Sequence, residues 1–566
     1  MRSTLRTPPG SARVIPMFAF LTGMALAIPA PSQVLTDGDA GPLLELSLRS
    51  RVELAGAEGV ARAVEREERW DPQGTAVIVC DMWDLHHCLN ATRRGAELAP
   101  RMDEVLEEAR RRGATIIHAP SGCMAAYEGH PARDRALKTP RSRSLPPDID
   151  QWCDRIPAEE GGDYPIDQTD GGEDDDPVEH AAWAEKLASM GRDPRSPWKA
   201  QTDRLRIDPE RDYVSDDGEE IWSILEDRSI ENVILLGVHT NMCVLGRPFG
   251  LRQMAKNGKN VVLMRDMTDT MYNPARPPFV SHYTGTDRIV EHIEKFVCPT
   301  ITSDQLIGGR AFRFQDDRRP HVVFLIAEDE YETEQTLPPF AEESLGQDYR
   351  VSFVFGDDDD PHALEGLHVL KDADLMFVSM RRRPLRAGHL EMIRDHVARG
   401  KPVSGIRTAS HAFSLRGNPE LSEGVASWPE FDARVLGGSY TNHHPNGIES
   451  AIAVADSAQA HPILKDVDVP ALIGKGSLYK VRPLASSATP LLIGTIPGQE
   501  PEPVAWTNLG PTGSRVFYTS LGHRGDFEQP AFRQLLRNAI DWTLEPLSYP
   551  RPDSQPQELA DVPAAS

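Results

Sequence analysis

The sequence predicts an α/β protein built as two consecutive three-layer α/β/α domains with mainly parallel sheets. Three observations lead there: apolar runs alternating with helical patterns between Asp71 and Pro299, a Gly-bearing break at 301–318, and a second alternation from His321. Alternation of this kind builds a parallel sheet, because a parallel crossover lays a helix across the sheet face. With 566 residues the chain is long enough for separate cores.

At the N-terminus Arg2, Arg6 and Arg13 flank and precede an apolar run from Val14, and Ala25-Leu-Ala27 has the small-x-small form of a cleavage site. Residues 1–27 therefore read as a signal peptide and 28–66 as a linker. The apolar run is short of the roughly 20 residues that a membrane span needs. A periplasmic or secreted protein is expected, with no membrane association after cleavage. The formal net charge of −25 argues against nucleic acid or an anionic membrane as partner. A small-molecule substrate is the expected partner, and a homo-oligomer is compatible with the sequence. Export permits disulfides, and among the six cysteines Cys88, Cys123 and Cys153 are the expected participants in one or two bridges. Cys80 reads as a core residue.

In the first domain, 67–300, Thr75–Cys80 reads as a strand, Met102–Arg112 as a helix ended by Gly113, and Ala114–His118 as the next strand. The stretch 139–197, rich in Pro, Gly and Asp, is an insertion long enough to be a lid or binding excursion. Strand 232–236, a helix around 246–256 and strand 260–264 resume the alternation. Two strands end at reactive residues. The first delivers Asp81, and the third runs into Gly237-Val-His-Thr-Asn-Met-Cys243. Ligands of open parallel sheets sit beyond the carboxyl ends of the strands, so Asp81 and Cys243 are expected to face one crevice. A cysteine at a helix start gains thiolate character from the free N–H groups and the dipole. The plain alternative for Cys243 is a small buried apolar residue.

These motifs, with Gly258-Lys-Asn-Val-Val-Leu-Met-Arg-Asp266, resemble the isochorismatase-like cysteine hydrolases, the group that includes nicotinamidases. The resemblance implies an Asp–Lys–Cys triad and a cis peptide at Val238–His239. It assigns Asp81 as base and Cys243 as nucleophile. Lys199, the only lysine between 187 and 255, falls at a spacing from Cys243 similar to the family's, with Arg204 or Arg206 as alternative cations. The oxyanion would meet the Cys243 N–H and a neighbouring amide in the segment of Val238, His239 and Met242. Trp83, Asp84, His239, Asn241 and Arg247 are candidate substrate contacts, the last as a carboxylate clamp; packing is the alternative role for each. No metal or cofactor is expected, since the nicotinamidase Asp-x-His…His spacing is missing. Pro248 predicts a helix that kinks or starts late after Cys243.

The second domain, 319–550, opens with strands at 321–326, 349–355 and 373–378, then a helix over 387–399. Strand 401–404 runs into Gly405-Ile-Arg-Thr-Ala, and Ser514–His523 precedes a helix from Phe527 to Trp542. With Gly437-Gly438, His443-His444 and Asn538-Ala-Ile-Asp-Trp542, this half resembles the ThuA-like trehalose-utilisation family, which implies a class I glutamine-amidotransferase-like fold. Where that fold carries a nucleophilic cysteine this chain has Arg407, so binding or sugar-related chemistry is expected in place of glutamine hydrolysis. Residues 551–566, rich in Pro, Gln and Ala, read as a disordered tail. The leading functional expectation is an exported cysteine hydrolase of an amide or related C–N bond with a ligand- or carbohydrate-related second domain. The alternatives are a non-catalytic binding protein with both folds, and a carbohydrate-processing enzyme active through its second half.

Overall fold

The computed structural model describes residues 43–545 apart from 55, 58, 358, 359 and 418. The signal peptide, the first part of the linker and the tail lie outside the described residues. The rest of the supposed linker is ordered into a hairpin. Leu44, Leu46 and Leu48 alternate with polar residues and are buried, so strand β1 (Leu44–Glu53) faces the core on one side and pairs antiparallel with β2 (Ala61–Trp70). That two-residue period marks a strand, which corrects the reading of 28–66 as linker.

Six further strands follow: β3 (Thr75–Cys80), β4 (Thr115–Ala119), β5 (Tyr213–Val214), β6 (Asn232–Val238), β7 (Asn260–Asp269) and β8 (Thr300–Ile301). The sheet order is β2-β1-β8-β7-β6-β3-β4-β5, parallel from β8 to β5. β3 is buried along its whole length, as a central strand covered by helices on both faces must be. The helix on one face runs from Leu89 to Arg112, thirteen residues earlier than the sequence reading. Pro100 lies inside it and obscured its start, which is held by Asp175 accepting the Leu89 and Asn90 N–H groups.

β3 leaves toward β4 on one side, while β6 pairs on its other side, so the strand order reverses between β3 and β6. The pair is in register from Thr75 beside Asn232 to Cys80 beside Gly237, and both strands therefore finish at one level. Gly237 is obligatory: a Cβ there would stand 2.0 Å from the Cys80 carbonyl oxygen, and its φ of +113° disfavours any other residue.

Residues 302–320 do not span free space. Ser303 and the Phe312 N–H bind the Asp266 carboxylate, and Phe312 and Phe314 pack on the first core. The second sheet has strand order 350–355, 321–327, 375–380, 403–406 and 515–519, all parallel, followed by four antiparallel strands at 502–509, 489–495, 450–454 and 473–474. It thus has a parallel half plus an antiparallel extension drawn from the stretch between 412 and 513, where the sequence reading marks no elements. The β1–β2 hairpin touches this half through Arg62 with Asp357 (3.3 Å) and Glu65 with His368 (3.1 Å). All six cysteines are buried free thiols. The expected bridges are therefore not formed: Cys88 instead caps the long helix, where its sulfur accepts the Ala91 N–H.

No described helix is long and apolar enough to cross a membrane.

Candidate active site

Asp81 follows β3 with a φ of +47°, a conformation Asp tolerates better than most residues. The turn drives its carboxylate into the protein, fully buried. One oxygen accepts the Ser121 N–H at 2.7 Å, and the other accepts Nε of Arg247 at 3.1 Å. Cys243 arrives from the neighbouring strand on a one-turn π-helix, Thr240–Val244. Thr240 anchors that turn through its hydroxyl to Thr268 (2.7 Å) and the Asp269 carbonyl (2.9 Å). Asn241 clamps it by accepting the Met271 N–H and donating to the Met271 carbonyl. The Val238–His239 peptide is cis, at the position the resemblance implies.

The turn breaks at Arg247–Gly250 and helix resumes only at Leu251–Lys256, the interruption expected from Pro248. The expectation of a thiolate favoured by a helix start is not met. Burial, and then the Asp81 charge, push the Cys243 thiol well above its usual range, with Arg247 opposing them. Burial also raises the Asp81 carboxyl, against Arg247 and the hydrogen bonds from Ser121 and Cys243. For Arg247, burial works against the charge, but Asp81 and then Cys243 more than compensate and hold the guanidinium protonated. Three side chains thus form one electrostatic group, in which the charges of Asp81 and Arg247 act on the thiol in opposite directions.

Lys199 is not in this group. It is exposed, its ammonium reaches only the Gly191 carbonyl at 3.4 Å, and its backbone N–H binds Asp84. Arg204 is exposed, and Arg206 pairs with Asp103 and Glu107 on the surface. A lysine triad is therefore not assembled; the cation beside Asp81 is Arg247, read from the sequence as a substrate clamp. Its position was legible only in part. Arg247 stands four residues after Cys243, but the helix break that turns it back onto Asp81 is a tertiary event. Trp152 from the insertion covers its guanidinium at 5.4 Å, and the same ring lies on Gly246, where a Cβ would approach to 2.4 Å.

The other candidates divide. Trp83 stacks on Trp198 at 4.6 Å and donates its indole N–H to the Ser121 carbonyl, so it walls the site beside Asp81. The Pro197-Trp-Lys199 segment turns its tryptophan inward, not its lysine. His239 is buried 4.8 Å from His86, and burial, only partly offset by Asp269, lowers its pKa to about 4; it is a neutral imidazole at pH 7. Asp84 pairs with Arg192 at 2.8 Å and accepts two backbone N–H groups, which makes it the tie of the 192–200 loop. Asn241 is spent on Met271 and Gln168. The Met242 N–H is taken by the His239 carbonyl at 3.0 Å, so it is not an oxyanion donor.

The insertion packs around this end of the sheet. Tyr164 donates to the Asn241 carbonyl, Trp183 to the His86 carbonyl, and the Cys153 N–H to the Gly246 carbonyl. Cys88, Asp174 and Asp175 bring ligand-type atoms within 4.8 Å of one another. Their capacity is already used: Asp175 caps the helix and Asp174 binds Arg94 through two N–H groups.

In the second half Arg407 directly follows strand Val403–Ile406 with a φ of +46° and opens a one-turn 3-10 helix, Arg407–His411. Its guanidinium is buried between the rings of Tyr331 and Tyr479, at 4.5 and 4.3 Å, and donates to the Ser520 carbonyl. His411 packs on Tyr440, His443 binds the His444 carbonyl, and His523 caps a short helix, so these histidines do not gather at one point.

No curated protein matches the chain. Among solved structures, a ThuA-like protein from Bacteroides uniformis is similar at 15% identity and TM-score 0.32, over 42% of this chain and 96% of its own. A cysteine hydrolase from Pseudomonas syringae pv. phaseolicola is similar at 15% identity and TM-score 0.25, over 42% of this chain and 92% of its own. An isochorismatase family protein from Burkholderia thailandensis is similar at 15% identity and TM-score 0.23, over 41% and 94%. The family model described as trehalose utilisation, ThuA, matches residues 321–543. Residues 321–543 are thus ThuA-like.

Proposed function

We propose that the first half is a cysteine hydrolase that cleaves an amide or related C–N bond of a small molecule. The observation that supports this most is the buried Asp81–Cys243–Arg247 group at the point where the strand order reverses. In this reading the thiol is the resting form. Moving its proton to Asp81 shifts one negative charge from carboxylate to sulfur, and Arg247 faces both, so the net charge of the buried group does not change. The thiolate then attacks the carbonyl carbon, and Asp81 returns the proton to the departing nitrogen. Water hydrolyses the resulting thioester, with Asp81 again as base. Trp83, Trp198 and neutral His239 line the approach, which suits a planar or partly apolar substrate.

On the same reading, residues 1–27 direct export, the protein works in the periplasm or outside the cell, and the second half is a ligand- or carbohydrate-related module. A binding role without turnover is the second reading, favoured by the absence of Lys199 from the site. The test is ammonia release from a panel of amides, carbamoyl compounds and ureides by the wild-type chain and by Cys243→Ala. Release that is lost in the variant supports hydrolysis; equal release from both removes Cys243 from the chemistry. No release from any of them favours the binding role.

A further inference from the structure

The second half holds a group of cations that nothing in the first reading uses. Strands 321–327, 375–380 and 403–406 lie side by side and parallel, and the strand order reverses between the first two, the place where open parallel sheets form a ligand crevice at their carboxyl ends. Each strand delivers charge there. Glu328 follows the first, Arg381 and Arg382 follow the second, and Arg407 follows the third. The Arg382 and Arg383 N–H groups bind the His411 and Ala412 carbonyls, which fastens the two arginine-bearing loops together. Arg382 itself has a φ of +45°, uncommon for a long side chain.

Two carboxylates of the loop after the first strand, Glu328 and Glu330, are already occupied. Glu328 accepts the N–H groups of Glu330, Tyr331 and Thr333 and the Thr333 hydroxyl. Glu330 pairs with Arg381 at 2.6 Å. Among the described residues, Arg382, Arg407 and Arg416 have no ion-pair partner, in a protein whose net charge is −25. The aromatic residues complete the enclosure: the rings of Tyr440 and Tyr479 stand 4.5 Å apart, and His411 lies 4.6 Å from Tyr440. Burial, and then Arg382, Arg381, Arg407 and Arg416, push the His411 pKa down to about 3. The histidine is therefore neutral at pH 7 and adds no charge of its own.

We infer that this crevice binds a small organic anion, its carboxylate or phosphate held by Arg382 and Arg416 and its body packed on Tyr440 and His411. Arg407, buried between Tyr331 and Tyr479, is the fixed positive charge behind the site. Unpaired guanidinium groups match an oxyanion in geometry and charge, and the partial burial of Arg382 keeps its attraction from being screened away. The inference rests on the reading of this half as a ligand module and narrows the ligand to an anion.

The experiment is calorimetric titration of the full chain with inorganic phosphate, with benzoate as a carboxylate on a flat apolar body, and with a neutral disaccharide. Phosphate or benzoate should bind, and the stronger of the two identifies the anionic group. Binding should weaken about tenfold or more in Arg382→Gln and in Arg416→Gln, the latter at an exposed residue with little bearing on folding. Cys243→Ala should bind as the wild type does. Failure of both anions to bind at millimolar concentration, or undiminished binding in both variants, overturns the inference. Binding of the disaccharide alone overturns the anion but keeps the ligand module; no binding of any of the three removes both.

Discussion

Asp81 and Arg407 occupy equivalent places in two unrelated sites. Each directly follows a central parallel strand, each has a φ near the left-handed region (+47° and +46°), and each is buried. The difference is in the charge around them. The Asp81 carboxylate has a guanidinium beside it and a thiol that can share its charge. The Arg407 guanidinium has two tyrosine faces, a carbonyl and hydroxyls, and no carboxylate partner. The same backbone device thus presents a proton acceptor in one half and a fixed cation in the other. A balanced group can move a proton without creating a buried charge, whereas an unbalanced cation can only attract one. This comparison is why chemistry is proposed for the first half and binding for the second.

The sharpest break would come from the nucleophile. Cys243→Ala should lower ammonia release by about a thousandfold or more, the loss expected when a covalent route is removed, and should leave anion binding in the second half unchanged. Next in size, Asp81→Asn should cut turnover by about 10²–10⁴. It should also speed iodoacetamide alkylation of Cys243, because the asparagine no longer opposes the thiolate while Arg247 still favours it. Slower alkylation in this variant would show that Asp81 does not act on the thiol as a charge.

Arg247→Met should lower stability by about 3 kcal/mol, because it leaves the Asp81 carboxylate buried without its cation. Thermal unfolding measures this, and Arg247→Lys should recover part of it. Arg407→Met should cost about 1–2 kcal/mol through lost cation–π and hydrogen-bond contacts and leave ammonia release intact. A fall in ammonia release there would couple the two halves and break the comparison.

The smallest effect concerns the insertion. Burial works to raise the Glu159 carboxyl, but hydrogen bonds from His292 and Arg252 outweigh it and hold the pKa at about 2. The folded value lies below the unfolded one, so the stabilisation is complete above the unfolded value of about 4.3 and is lost as pH falls from there through the folded value. Limited proteolysis should therefore cut the insertion faster at about pH 3 than at pH 6, and Glu159→Gln should flatten that dependence.

The sequence by itself determined the architecture and the two ends of the first site. Short continuous apolar runs such as Thr75–Cys80, set between helical patterns, read as buried strands, and the residues that end them, Asp81 and the Cys243 turn, then fall at the carboxyl edge. Arg407 at the second elbow was legible for the same reason: the tight turn after that strand needs a glycine, and a Cβ added to Gly405 would stand 2.9 Å from the Ala409 Cβ. The identity of the cation was not legible. Lys199 and Arg247 are both positive residues at plausible spacing, and only the break of the helix at Arg247–Gly250, covered by Trp152 from the insertion, brings one of them to Asp81. The protonation of Cys243 also escaped it. Local pattern supplied a helix start that favours thiolate, whereas burial and the Asp81 charge are properties of the packed interior and act the other way. The gathering of arginines at one end of the second sheet was hidden for a related reason, since Arg382 and Arg407 are far apart along the chain. Periodicity and strand ends are local and can be read from order alone; which charges end up without partners depends on what every other segment brings close, and only the tertiary structure decides that.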